Sequence, residues 1–359
     1  MNRIKFFFIF YYFIILAISM NLILANNVQI LSEGNYSDNP FWAGDSNGIY
    51  FNQLENNRLD LHYININNSS IKKIYNDCYL LDVDPKNDKL MVALTSKNND
   101  SSSFAVLDRD GNLVTMIPLS AYATRRPIFA PDGNKILSIQ YDYMTLYNKI
   151  NIYETNNKSK NFMLLNNTST SLDWSVKNQL LYRGENNLLF FDLNNNHYNL
   201  YSYDFNNGLY RQITHFKNTP PSNFEYDAIN AVWSPDGELI VSEIKTTGSA
   251  QTKLAIINNK GIILKIFSNE NKDIDYIHPV WSPDGKKIAF IIAESVEGQD
   301  YPKYSLGLIE LDPSLQSGPR PDKIPEIKLV TFNVYLYGGI AIGILLLAIT
   351  GFIFIRRKK

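Results

Sequence analysis

Few side chains in this chain could carry out covalent or metal chemistry. Gly44-Asp-Ser-Asn-Gly48 has the Gly-x-Ser-x-Gly spacing of a nucleophile elbow, where a sharp strand-to-helix turn lifts a serine hydroxyl toward a histidine. It falls, however, in the turn of a repeated hairpin, where no strand leads into a helix, so a plain turn is the expectation. His62, His197, His215 and His278 are scattered, with no two at metal-ligand spacing. His278 holds a place taken by Asn39, Arg126 and Asn230 in equivalent stretches, which suggests a structural hydrogen bond. Cys78 is the single cysteine, so no intrachain disulfide can form, and a small buried residue is its expected role. Asp108-Arg-Asp-Gly-Asn112 opens like a calcium loop but lacks the remaining ligand positions and reads as a turn. Gly285-Lys286 has neither the earlier glycine nor the following Ser or Thr of a phosphate-cradling loop. No catalytic set, cofactor site or metal site is expected.

What the chain has instead is repetition. Residues 278–290, HPVWSPDGKKIAF, return without gaps as 39–51 (NPFWAGDSNGIYF), 126–138 (RPIFAPDGNKILS) and 230–242 (NAVWSPDGELIVS). Residues 81–90 and 172–181 are degenerate copies: the first keeps the proline and the apolar ends, the second keeps the tryptophan and shortens the turn. In each copy an apolar pair ends a strand. Proline then fixes φ, Asp bonds its own following backbone, and Gly takes positive φ without steric cost. The returning Ile-x-Phe alternates with period two, so each copy predicts a β-hairpin.

Taking the aromatic or its equivalent as marker, the copies fall at Trp42, Val83, Phe129, Trp174, Trp233 and Trp281, at spacings of 41, 46, 45, 59 and 48 residues. Most of these match a four-stranded propeller blade. A lone hairpin cannot bury its apolar face, so units of this size must stack on their neighbours. A β-sandwich with similar turns has no reason to repeat a sequence at this interval.

The WSPDG-x-x-I-x-F signature resembles the TolB-type, WD-like β-propeller repeat over roughly residues 28–314. The resemblance implies an all-β propeller of four-stranded antiparallel blades, and the count of markers makes it a six-bladed β-propeller. TolB itself has a further domain ahead of its propeller, for which residues 26–42 leave no room, so its partners are not carried over. Prolyl-oligopeptidase-like enzymes also carry propellers, but their catalysis lies in a separate hydrolase domain. Sialidase-like propellers need clustered arginines and their own turn motif, and neither is seen.

Residues 28–32 read as a strand with no blade before it, expected to pair with the last blade and close the ring. Residues 327–331 are a possible competitor for that place. After each hairpin come two further strands joined by a short polar turn. The interval before Trp233 holds an extra apolar run, 188–193, expected to form an additional hairpin, and a loop at 217–227 with Pro220-Pro221.

In such blades the Ser-Pro-Asp-Gly turns share one face with the short polar turns, while the longer connections lie on the other. That second face is expected to gather Tyr122, Arg125, Arg126, Tyr141, Tyr143, Phe224, Tyr226, Tyr276 and Tyr301. Tyr and Arg are favoured at interfaces, so this is the candidate binding face; ordinary packing between blades is the competing reading.

The ends read as targeting elements. Arg3 and Lys5 precede an apolar run from Phe6 to about Met20, the layout of a signal peptide over residues 1–25, with an uncleaved anchor as the alternative. A Pro-rich spacer, 315–333, follows the propeller of residues 26–314. Residues 334–355 are 22 predominantly apolar positions without a charge, followed by the basic tail 356–359. They are expected to form a transmembrane helix with the tail in the cytoplasm and the propeller outside. Seven Asn-x-Ser/Thr triplets, beginning at Asn35, Asn67, Asn68, Asn99, Asn157, Asn166 and Asn167, fit an extracytoplasmic surface. Between the apolar ends, 28 basic residues face 35 acidic ones, a balance of −7 that argues against a nucleic-acid partner. The expected function is a cell-surface, membrane-anchored binding module for a protein or glycan. An extracytoplasmic hydrolase or lyase with its site on the long-connection face is the alternative.

Overall fold

The computed structural model describes residues 28–34, 40–55, 58–84, 86–94, 103–117, 124–142, 147–154, 159–165, 172–174, 179–185, 198–204, 209–216, 226–246 and 249–321. They form six four-stranded antiparallel sheets. Residues 41–75 make blade 1, 78–117 blade 2, 124–165 blade 3, 172–212 blade 4 and 226–267 blade 5. Blade 6 contains Ile274–Trp281, Lys287–Glu294 and Lys303–Glu310, and takes Val28–Gly34 as its outer strand. The first strand of each blade, which carries the marker, touches that of the next all the way round, with blade 6 returning to blade 1. This is a propeller, not two stacked layers.

The core lies between blades. One cluster joins Leu254 and Phe267 of blade 5 to Trp281 and Phe290 of blade 6. Others join Leu306 and Leu308 of blade 6 to Trp42 and Phe51 of blade 1, and Tyr50 and Leu61 of blade 1 to Leu80 and Val83 of blade 2. Both faces of a blade are therefore covered. Second strands are buried almost continuously, as over residues 288–293, instead of showing the alternation of a sheet with one wet face.

The repeat signature is turn chemistry. In blade 6 the Ser282 amide donates to Lys287 O (2.8 Å), the Ser282 hydroxyl donates to Asp284 Oδ1 (2.6 Å), and the same hydroxyl accepts from the Lys287 amide (2.9 Å). Gly285 sits at φ 73°, and a Cβ there would lie 2.4 Å from Ser317 O. Blade 5 repeats these bonds with Ser234, Asp236 and Leu239. In blade 1 Ser46 takes the glycine's place at φ 59°.

The ring is closed by Val28–Gly34, which pairs antiparallel with Lys303–Glu310, Val28 opposite Ile309. That settles the outer position of blade 6 in favour of the N-terminal strand. The Trp42 indole N–H also donates to Val280 O (3.2 Å), and the Asp284 amide to Ser46 Oγ (3.1 Å).

Beyond Glu310 the chain does not leave at once. The amides of Leu311, Ser317 and Arg320 donate to Lys286 O (2.9 Å), Gly285 O (3.0 Å) and Pro283 O (3.1 Å), so this segment lies along the blade 6 turn. The Gly318 amide donates to Asp236 Oδ2 of the blade 5 turn (2.7 Å). Residues 315–320, expected to begin a spacer, are part of the packed structure. The expected signal peptide (1–25), transmembrane helix (334–355), basic tail, extra hairpin at 188–193 and competing strand at 327–331 lie outside the described residues. Among the described residues no helix is long and apolar enough to cross a membrane.

Candidate functional site

A propeller offers two ends of a central channel, here the turn face and the connection face. A first strand leaves edge amides within reach of the preceding blade, and an unpaired edge amide is costly unless something accepts from it. Blade 1 solves this with Asn52, whose carboxamide oxygen accepts from the Leu80 amide of blade 2 (2.6 Å) while its nitrogen donates to Cys78 O (2.9 Å). Blade 5 does the same at the matching strand position with Glu243. This buried carboxylate accepts from the His278 amide and from Asn230 Nδ2, both at 2.7 Å. His278 stands at φ 55° within the irregular pairing of its strand, so one oxygen of Glu243 fixes an unusual backbone conformation.

Nearer the turns the two degenerate copies act differently. Asp82 Oδ2 accepts from the Phe129 amide of blade 3 (2.5 Å), and Asp173 Oδ2 from the Trp233 amide of blade 5 (2.6 Å). Both residues directly precede their markers, and both amides belong to the marker of the following blade. Asp84 stands in for the signature serine, accepting from the Lys86 amide (3.0 Å) and Asn87 Nδ2 (2.7 Å). Burial pushes the Asp82 carboxyl up to about 8 despite the amide bonds from Phe129 and Val83, with Asp173 and Asp84 adding to the rise.

Arg320 occupies this end of the ring. A guanidinium NH₂ donates to Pro131 O of blade 3, while Nε is buried without a hydrogen-bond partner among the described residues. Burial lowers its pKa, against the opposing field of Asp84, Asp173, Asp82 and Asp132. The turn face is thus covered in its middle by the chain's own segment.

On the connection face, blade 1 carries an ionic cluster. Lys73 Nζ donates to Asp60 Oδ2 (2.6 Å) and Glu55 Oε2 (2.9 Å), and the Asp77 amide to Asp60 Oδ1 (3.1 Å). Burial alone would raise the Asp60 carboxyl, but the hydrogen bonds from Lys73 and the Asp77 amide hold it below the usual range. His62 is 4% exposed, stacks on Phe51 at 5.7 Å and places Nδ1 3.2 Å from Asp60 O, a packed role.

The candidate binding residues fall into three groups. Tyr301 projects from the connection face at 80% exposure, whereas Tyr276 is 3% exposed, packs on Phe290 at 4.8 Å and accepts from Asn269 Nδ2 (3.3 Å). Arg125 and Arg126 lie in Thr124–Phe129, Tyr141 in Lys135–Asp142 and Tyr226 in Tyr226–Trp233, so these strands run further into the connections than expected. Tyr122, Tyr143 and Phe224 lie outside the described residues.

The other motifs resolve into turns. Ser46 of the Gly-x-Ser-x-Gly stretch accepts from the Asp284 amide, and Asp108 Oδ1 accepts from its own loop amides, Asp110 (2.9 Å) and Asn112 (2.8 Å). Cys78 is buried, its thiol pushed up to about 12 by burial. His215 is exposed, and His197 lies outside the described residues. Among the described residues no three His, Cys, Asp or Glu side chains group around a possible metal position.

These features define the class: an all-β propeller whose ring is closed by its N-terminal strand. No family model matches the chain, and no curated protein does. Solved structures do, and they include TolB proteins and other propellers. A luciferin-regenerating enzyme is similar at 11% identity, covering 83% of this chain and 98% of that one, with a TM-score of 0.51. TolB from Acinetobacter baumannii is similar at 17% identity over 80% of this chain and 66% of that one, TM-score 0.48. An oligogalacturonate lyase in complex with manganese is similar at 13% identity over 80% of this chain and 94% of that one, TM-score 0.46. Such likeness concerns the fold, and propellers host both enzymes and binding modules.

Proposed function

We propose that the chain is a membrane-anchored propeller that binds a protein or glycan through its connection face. One observation carries this reading: the described chain enters and leaves on the turn face. Val28 lies opposite Ile309, at the end of Lys303–Glu310 nearest the turns, and residues 311–320 run across the turns of blades 5 and 6. Whichever apolar end of the chain sits in a bilayer, residues 6–20 or 334–355, it is joined to that face. The turn face then looks toward the lipid. The connection face, with Tyr301, looks away from it, and a rigid ring presenting exposed connections suits recognition.

The orientation is tested with the full chain in vesicles. A fluorophore is placed on Asp110→Cys in a turn or on Tyr301→Cys on the other face, and a headgroup quencher is added. Strong quenching at 110 and little at 301 is expected, and the reverse order overturns the reading. For binding, the same vesicles are probed on glycan and extracellular-protein arrays. Tyr301→Ala is expected to weaken capture about tenfold, a typical effect for an exposed aromatic anchor. Lys72→Ala on the turn face should leave capture unchanged, and equal losses from both variants contradict a binding role for the connection face.

A further inference from the structure

Arg320 is held in an unusual way. Its backbone is fixed by the regular turns, through Ser317 to Gly285 O, Gly318 to Asp236 Oδ2 and Arg320 itself to Pro283 O. A Cβ at Gly318 would lie 3.0 Å from Asp236 Oδ2, so the segment lies close against the blade 5 turn. From blade 6 the side chain reaches Pro131 O on blade 3, the far side of a ring of six. It enters the field of carboxylates on three blades, Asp84 on blade 2, Asp132 on blade 3 and Asp173 on blade 4, beside the carboxyl group of Asp82. Among the described residues no arginine–carboxylate ion pair is formed there and the buried Nε has no acceptor. A buried donor without an acceptor is costly, so the seat takes a guanidinium yet is filled imperfectly.

We propose that the turn-face mouth of the channel is a guanidinium-binding site, occupied in cis by Arg320, and that an extended peptide with an accessible arginine competes for it. The segment 311–320 is then a strap whose lifting exposes the acidic mouth. Recognition is by planar donors meeting the Pro131 carbonyl within a negative field, which an ammonium or a neutral urea group matches poorly.

The test uses the full chain in mild detergent and the heptapeptide of residues 315–321, LQSGPRP, beside its citrulline analogue. In the Arg320→Ala variant the arginine peptide should bind at least tenfold more tightly than to the unaltered chain. The citrulline peptide should bind at least tenfold more weakly than the arginine peptide. Adding Asp173→Asn to Arg320→Ala should weaken the arginine peptide severalfold, and raised salt should weaken it too. A thermal shift on binding shows that the variant is folded. If Arg320→Ala does not fold, Arg320→Lys replaces it and is expected to admit the peptide to an intermediate degree. A folded variant that takes up neither peptide, or both equally, overturns the proposal.

Discussion

Blades 5 and 6 keep the turn signature intact, and blades 2 and 4 have lost most of it. The difference lies one residue before the marker. Regular blades have Val232 and Val280 there, both packed against apolar clusters. Degenerate blades have Asp82 and Asp173, each accepting from the marker amide of the next blade. A copy that looks decayed has exchanged part of its own turn chemistry for a link between blades. These same two carboxyl groups lie near Arg320, which the regular turns hold in place. Departures from the repeat thus mark where the ring has been made asymmetric.

The largest effect should come from attacking a regular turn. Gly285→Val meets a backbone oxygen of the strap and must adopt positive φ, a strain of about 1–3 kcal/mol before any collision is counted. A fall of more than about 3 kcal/mol in denaturant stability is expected. Gly298→Ala has a similar φ of 80° with nothing within 4 Å of the added carbon, and should cost only about 1 kcal/mol. Equal costs would show that the strap does not press on the blade 6 turn.

Asp173→Ala comes next, since it strands the Trp233 amide. A loss of about 1–3 kcal/mol is expected by urea unfolding, with Asp173→Asn milder because its carboxamide oxygen can still accept.

Asp82 gives a pH signature. Its folded pKa of about 8 lies above the ordinary carboxylate value of about 3.9, so the folded chain holds the extra proton between these limits. This contribution to stability is complete below the lower limit and is lost as pH rises through the upper one. The melting temperature should fall by a few degrees between about pH 5 and pH 9, and Asp82→Asn should flatten that slope. An unchanged slope in the variant contradicts the assignment.

The smallest effect belongs to Lys72→Ala. Its pair with Asp110 at 3.2 Å is exposed on both sides, and a change within about 0.5 kcal/mol is expected.

Much of this fold was legible in the sequence because Pro-Asp-Gly turns and marker residues report local backbone needs, and six turns at blade spacing leave few alternatives. Closure by residues 28–32 was readable for the same reason, as a strand at the usual distance from a marker. Continuous burial of the second strands was not, because period-two patterning assumes one wet face and a blade has none. The strap was missed because its Ser, Gly and Pro residues carry no periodicity and most of its hold is through its own backbone amides. The visible hints were Asn52 and Glu243 inside apolar strands, and aspartates where the other copies have Phe41, Ile128, Val232 and Val280. Tyr276 shows the limit of reading by residue type, since an aromatic that suits an interface also suits the space between blades.

The most direct measurement is hydrogen exchange, residue by residue, over 311–321 in the full chain. A strap bound across the turns should protect the amides of Leu311, Ser317, Gly318 and Arg320 by about a hundredfold or more over free-peptide rates, since opening must break several hydrogen bonds together. Exchange at free-peptide rates at all four amides would mean that the segment is unbound and the turn face open.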